Sequence, residues 1–395
     1  MSCVASPARS RGAERPWDGL RTVIVHDWLT GSRGGEKVLD AICRMIPDAP
    51  VLTLVSRPEA LTGAIANRRV RTSFIQHLPF SLTRYREYLP LFPTAIEQFD
   101  LDDVDLVIST SHCAAKAVVP TGRAVHVCYC HSPMRYAWDQ FPAYFGPERV
   151  GRALSAVLRV IMAWLARWDA ATAPRVTQFA ANSRYVAGRI ARYYNRQAAV
   201  LYPPVDTEFF TPSPSDVVSG DHAASGGFAL VVSALVPYKR IDVAIEAAAK
   251  AGWPLTVVGT GPDEQRLRAL AGPSVTFLGN VNANALRDLY RTAGALMLPG
   301  EEDFGIAPVE ALACGCPVVA LARGGATETV DDGVTGILVS TLTGDAFAAA
   351  LARISHLSTG AAGRRERALR FAPERFDEGF TALVARTVEG RSSPC

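Results

Sequence analysis

Short runs rich in Val, Ile and Leu recur along the chain, separated by longer stretches whose apolar positions return every three to four residues. The runs predict strands buried on both faces and the stretches predict amphipathic helices, so their alternation predicts βαβ units and parallel sheets. One series of strands is expected at residues 22–25, 51–55, 104–109, 125–130, 178–181 and 199–202, with a helix over 35–46 after the first. A second series is expected at 228–233, 255–258, 275–278, 295–298 and 318–320. Between the two, residues 212–227 are polar and contain Pro, Ser, Gly and Asp, as an interdomain linker or exposed loop does. The pattern divides the chain into a flexible tail (1–19), a first α/β domain (20–211), the linker, a second α/β domain (228–373) and a helical segment (374–395) expected to cross back and brace the first domain.

The longest apolar helical stretch, 153–173, is broken by Arg159 and Arg167 and so does not read as a membrane span. Arg152, Arg159 and Arg167 fall near one face, which fits either an interfacial helix or a buried amphipathic helix with one solvated side. The formal charge of +3, from 41 basic and 38 acidic side chains, is too even for wholesale nucleic-acid binding. No apolar leader occurs in residues 1–18, so a cytoplasmic protein is expected, peripheral at most on the inner face of a membrane. In that compartment the eight cysteines are expected to be reduced packing residues, including the C-x-C pairs Cys128/Cys130 and Cys314/Cys316.

Ligands of parallel sheets bind beyond the carboxyl ends of the strands, which directs attention to the loops that follow them. One such loop, Gly259-Thr260-Gly261, has the glycines a tight strand-to-helix turn needs, with or without a ligand. A stronger signal is Pro299-Gly300-Glu301-Glu302-Asp303-Phe304-Gly305-Ile306-Ala307-Pro308-Val309-Glu310, in which a helix is expected to start near Gly305. A carboxylate accepts two hydrogen bonds at once and suits paired sugar hydroxyls, while the helix start offers free N–H groups to a diphosphate. Taken alone, two acids at this spacing are also ordinary helix-start residues.

The surrounding sequence carries a resemblance. Phe277-Leu278-Gly279, Leu289-Tyr290, the Glu302 to Glu310 segment, Ala313-x-Gly315-x-Pro317-Val318, Gly324-Gly325-x-x-Glu328 and Asp332-Gly333-x-Thr335-Gly336 follow one another in order. Together they resemble the donor domain of the family 4 retaining glycosyltransferases, whose GT-B architecture sets two Rossmann-like domains face to face across a donor and acceptor cleft. The resemblance implies that Glu310 binds the nucleotide ribose, that Glu302 and the amides at Gly305 and Ile306 contact the transferred sugar, and that Lys239 holds the diphosphate. Ala234 stands where many members carry Arg, and Arg240 is the expected substitute. In the first half, Gly34 and Gly35 resemble the glycine-rich loop that approaches the donor phosphate, or else only shape a helix start. Cys130-His131-Ser132-Pro133-Met134-Arg135-Tyr136-Ala137-Trp138-Asp139 resembles a subgroup that transfers mannose in bacterial O-antigen and exopolysaccharide synthesis. There His131 matches the active-site histidine, and Arg135, Trp138 and Asp139 are expected on the acceptor side.

A basic and aromatic region between Arg68 and Tyr88 is expected to meet either solvent, anionic lipid or a polyprenyl-diphosphate-linked saccharide. The expectation as a whole is retaining transfer of a hexosyl group, mannosyl from GDP-mannose foremost, to a hydroxyl of a glycan or lipid-linked acceptor. No metal or other cofactor is expected, because Lys239 and helix N-termini take the place of a cation. A UDP-sugar donor, or a non-catalytic sugar-nucleotide-binding protein, stays open beside it. A nicotinamide-dependent enzyme fits poorly, because the first strand-turn lacks G-x-G-x-x-G followed by a ribose-binding acid.

Overall fold

The computed structural model describes residues 15–31, 34–213 and 227–392. Seven parallel strands form the first sheet: β1 (Thr22–His26), β2 (Val51–Thr53), β3 (Val70–Thr72), β4 (Leu106–Ser111), β5 (Val125–Cys130), β6 (Gln178–Ala181) and β7 (Ala198–Val200). Six more form the second: β8 (Ala229–Val232), β9 (Leu255–Val258), β10 (Val275–Gly279), β11 (Ala295–Leu298), β12 (Val318–Leu321) and β13 (Gly336–Val339). Their orders are β3-β2-β1-β4-β5-β6-β7 and β10-β9-β8-β11-β12-β13. In each sheet the winding reverses beside the first strand, between β1 and β4 and between β8 and β11. A reversal leaves a crevice at the carboxyl ends of the two strands, because their connections leave in opposite directions.

Burial explains which strands the pattern exposes. β4, β5, β11 and β12 are buried at every position, as central strands covered by helices must be. β3 and β13 are additions to the expected set. β3, with the sequence Val-Arg-Thr, is a short and partly exposed edge strand, and β13 lies inside a glycine-containing turn segment. β4 also begins two residues later than its apolar run, because 101–104 closes a turn through the Val104 N–H to Leu101 O bond of 3.1 Å.

The chain crosses to the second domain earlier than composition indicates. Val205 and Phe210 sit in the second core with Leu230, Leu298 and Phe304. Residues 214–226 of the expected linker lie outside the described residues. The final helix, Pro373–Ser392, returns to the first domain, where Phe376, Phe380, Leu383 and Val384 pack with Ile24, Val38 and Ile108. Trp17 joins the same core, so the ordered first domain begins before residue 20. The two crossings run side by side, tied by the Val205 N–H to Phe371 O bond of 2.9 Å.

The six described cysteines are unpaired and buried. Burial pushes the thiols of Cys128, Cys314 and Cys316 up to about 12, which leaves them inert packing groups.

Candidate functional site

On the second domain the site is built on the carboxyl ends of β8 and β11. Gly300 lies two residues beyond β11, and a Cβ there would fall 2.7 Å from Lys239 Cα and 2.8 Å from its carbonyl oxygen. Only glycine lets this strand end lie against the short turn Pro237–Lys239. Lys239 is thereby set beside Glu302, and the ammonium and carboxylate form an ion pair. Gly305, at φ +85°, turns the chain into the helix Ile306–Ala313. Glu310 lies within that helix, 4% exposed, and accepts a hydrogen bond of 3.1 Å from the Tyr290 hydroxyl. Arg240 begins the next helix at φ +52°, and its guanidinium is held by Asp242 at 3.1 Å.

The first domain meets this surface through the start of the helix Gly34–Met45. A Cβ on Gly34 would come 2.9 Å from Ile306 Cδ1, and one on Gly35 would come 3.5 Å from His131 Nε2. The two helix starts and His131 therefore converge across the cleft. Lys37, one turn further on, reaches Glu310 with Nζ–Oε1 at 2.6 Å. His131 follows β5, fixed by its N–H to Ser111 O (2.8 Å) and by Asn182 Nδ2 donating to its carbonyl (3.0 Å). Burial, with the nearby His112 and His26, pushes its imidazole down to about 3, so the ring is neutral near pH 7.

Asp27, at the end of β1 and wholly buried, was not singled out by the sequence pattern. Its carboxylate accepts the backbone N–H groups of His112, Cys113, Ala114 and Ala115 at 2.6–2.9 Å and faces His112 Nδ1 at 3.0 Å. Burial alone would raise its proton affinity, but His112 and these donors hold the carboxyl far below the usual range. The signal for it was an acid directly after an otherwise apolar strand at the winding reversal.

Asp303 joins the domains. Its carboxylate pairs with Arg135 and with Arg189 (3.1 Å), and its carbonyl oxygen accepts from Ser183 Oγ. Arg189 also reaches Asp139 at 2.8 Å and Ser132 Oγ at 2.9 Å. Burial works against the Arg135 charge, yet Asp303 and Glu302 raise its affinity for the proton. Trp138 donates its indole N–H to the buried Asp169 at 2.8 Å and stacks on Tyr193 at 4.7 Å. Arg135, Trp138 and Asp139 thus lie together in a network bordering the cleft. Glu328 of the second domain accepts the N–H groups of Arg184 and Tyr185 (2.8 and 3.0 Å), capping the first-domain helix Arg184–Tyr194. Lys37 and Arg189 have no local sequence signature, whereas Glu328 belongs to the Gly324-Gly325-x-x-Glu328 motif, which does not announce its partners in the first domain.

In the region from Arg68 to Tyr88 several basic side chains are engaged within their own domain, while Phe74 and Phe80 are 36% and 73% exposed. Arg68 bonds the Cys43 carbonyl at 2.9 Å, Arg84 pairs with Glu87 at 2.7 Å, and Arg86 lies 5.2 Å from the Tyr85 ring centroid.

Two doubly wound domains whose strand ends face one cleft define the GT-B architecture. The description "Glycosyltransferase Family 4" matches residues 33–209, and "Glycosyl transferases group 1" matches residues 219–373. The chain belongs to the family 4 glycosyltransferases. Among curated proteins it is similar to the D-inositol 3-phosphate glycosyltransferase of Mycolicibacterium smegmatis, with 36% identity over 154 residues, 35% of this chain and 36% of that one. Its similarity to the Mycobacterium tuberculosis protein of the same name is 34% over 186 residues, 42% and 37% of the two chains. Either match spans little more than a third of the relative. Among solved structures, Anabaena Alr3699/HepE in complex with UDP and glucose has a TM-score of 0.65 at 19% identity, covering 95% of this chain and all of that one (100%). The sucrose-phosphate synthase of Thermosynechococcus elongatus has a TM-score of 0.70 at 17% identity, covering 94% and 100%. At these identities the two structures speak for the fold.

Proposed function

We propose that the protein transfers a hexosyl group from a nucleoside-diphosphate sugar to a hydroxyl of a glycan or lipid-linked saccharide. The observation that carries this reading is the meeting, across one cleft, of Lys239, Glu302, Glu310 and the Ile306 helix start with Gly34, Gly35 and His131. In it, Glu310 takes the ribose hydroxyls in exchange for Lys37, and the amides after Gly305 with Glu302 take the sugar. Lys239 takes the diphosphate. As the bond from the anomeric carbon to phosphate oxygen breaks, Lys239 and the helix dipole stabilise the charge gathering on the leaving group, without a metal ion. The acceptor oxygen bonds the anomeric carbon and its proton leaves with the diphosphate, on the same face of the sugar if configuration is retained as in the family. Neutral His131 lines the sugar subsite, and Arg135, Trp138 and Asp139 border the acceptor. Arg240, held by Asp242, assists the diphosphate only after releasing that partner.

GDP-mannose is the first donor to test, on the strength of the Cys130 to Asp139 segment. A UDP-hexose is the second, because the HepE structures contain UDP, glucose and UDP-glucose. Calorimetry and donor hydrolysis with GDP-mannose, UDP-glucose, UDP-galactose and UDP-N-acetylglucosamine decide between them. Binding of none of the four would overturn the donor site, and turnover lost in EDTA and restored by Mg²⁺ would overturn its metal-free chemistry.

A further inference from the structure

The helix Arg152–Thr172 is amphipathic in an unusual sense. Its inner side, with Met162, Leu165 and Asp169, is buried against the short helices Arg135–Trp138, Phe141–Phe145 and Pro147–Val150. Its outer side is also apolar. Leu154, Val157, Val160 and Trp164, spaced three or four residues apart, are 50%, 57%, 72% and 47% exposed. Solvent-facing helix surfaces are normally polar, and a contiguous apolar patch on one marks a contact surface.

Charge identifies the occupant. The exposed ionic side chains of this helix are Arg152, Arg159 and Arg167, and its only acid, Asp169, is buried against Lys116 at 2.9 Å. Arg149 and Arg152 stand at the helix start, where a basic group opposes the dipole and an external anion would offset the repulsion. A second copy seated on this face would bring arginines against arginines. We infer that the face docks on an anionic lipid surface, with the apolar side chains at the level of the acyl boundary and the arginines at the headgroups. The helix lies on the membrane, and no helix among the described residues is long and apolar enough to cross one.

The docking face is mechanically close to the cleft. Asp169, on the inner side of the same helix, holds the Trp138 indole in the segment that carries His131 and Arg135. Contact with the bilayer thus presents the acceptor side to a lipid-linked substrate. This inference deepens the lipid-acceptor part of the proposed function, and its test uses neither donor nor acceptor, so the two fail separately.

The test is co-sedimentation with vesicles of mixed phosphatidylglycerol and phosphatidylcholine, against phosphatidylcholine alone. Binding is expected to the mixed vesicles only. Val157→Asp with Val160→Asp, both exposed positions, should weaken it at least about ten-fold, and Arg152→Gln with Arg167→Gln should weaken it by about ten-fold or more. Circular dichroism and thermal denaturation check that each pair of changes leaves the fold intact, and either pair suffices if the other does not fold. Three results would overturn the proposal: no binding to the anionic vesicles, binding unchanged in the variants, or light scattering that shows a wild-type dimer turned monomeric by the same changes.

Discussion

Lys37 of the first domain and Glu310 of the second form an ion pair of 2.6 Å across the cleft, on the carboxylate assigned to the donor ribose. Lys37 is 46% exposed at its side chain, so the pair is worth about 0.2–1 kcal/mol after solvent screening. Lys37→Met is therefore expected to tighten nucleoside-diphosphate binding by about 1.4–5-fold, because the ribose no longer displaces a cation. Weaker binding in calorimetry would show that Lys37 stays on the donor instead.

The two glutamates should separate by assay. Glu302→Gln is expected to reduce turnover by ten-fold or more, on the order of one lost charge-assisted contact, with nucleotide affinity changed less. Glu310→Gln should weaken both, as a residue that grips the nucleotide must. Small and equal effects in steady-state kinetics and nucleotide titration would contradict the assigned roles.

Gly300 is a sharper probe of Lys239 than Lys239 itself. The added methyl of Gly300→Ala meets the backbone of residue 239, which has no rotamer to yield, so the lysine must move with its turn. A donor affinity lower by about ten-fold or more is expected, alongside a stability loss of about 1–3 kcal/mol, since displacement by about an ångström is enough for a large loss. Unchanged affinity would show that Lys239 does not hold the donor.

Asp303 neutralises two arginines that are 16% and 6% exposed at their side chains. Replacing it by Asn removes the ion-pair partner of Arg135 and one of the two of Arg189, and should cost on the order of 3 kcal/mol in a denaturant titration. Arg189 retains Asp139, which limits the loss, and a double-mutant cycle between residues 303 and 189 would measure their coupling.

Acid should destabilise the first domain through its histidines. Burial lowers His26, pushes His126 down to about 4 and His131 to about 3. Unfolded imidazoles titrate near about 6.5, so between about pH 4 and 6.5 the unfolded chain binds more protons and stability rises with pH. Lowering pH from 7 to 4.5 is expected to cost on the order of a few kcal/mol. His126→Gln, which removes a ring bonded to Ser109 Oγ at 2.8 Å and to the Arg175 carbonyl at 3.1 Å, should flatten the profile. A denaturation midpoint independent of pH in this window would contradict it.

The sequence made central features legible where the physics is local. Fully buried runs such as Leu106–Ser111 and Ala295–Leu298 announce strands because both faces need apolar side chains, and Gly305 followed by an apolar helix announces a ligand-ready helix start. It hid what depends on distant partners. Lys37 looks like a solvated helix lysine until Glu310 arrives from 273 positions away, and Asp27 looks incidental until the 112–115 turn folds over it. β3 escaped because Arg71 is exposed at a sheet edge, where alternation replaces the apolar run. The crossing near Val205 escaped because two aromatic contacts of Tyr202, with Phe304 and Phe371, mark it better than composition does.

The return of the final helix to the first domain has a consequence for synthesis. Phe376, Phe380, Leu383 and Val384 complete a core whose other members, from Trp17 to Ala180, are translated far earlier. The first half must wait with an uncovered apolar flank while the second, whose core draws on residues from Val205 to Phe371, emerges and folds. Order of birth and order of completion are therefore reversed: the domain made first is finished only after the second has emerged, sealed by a helix that follows that second domain in the chain.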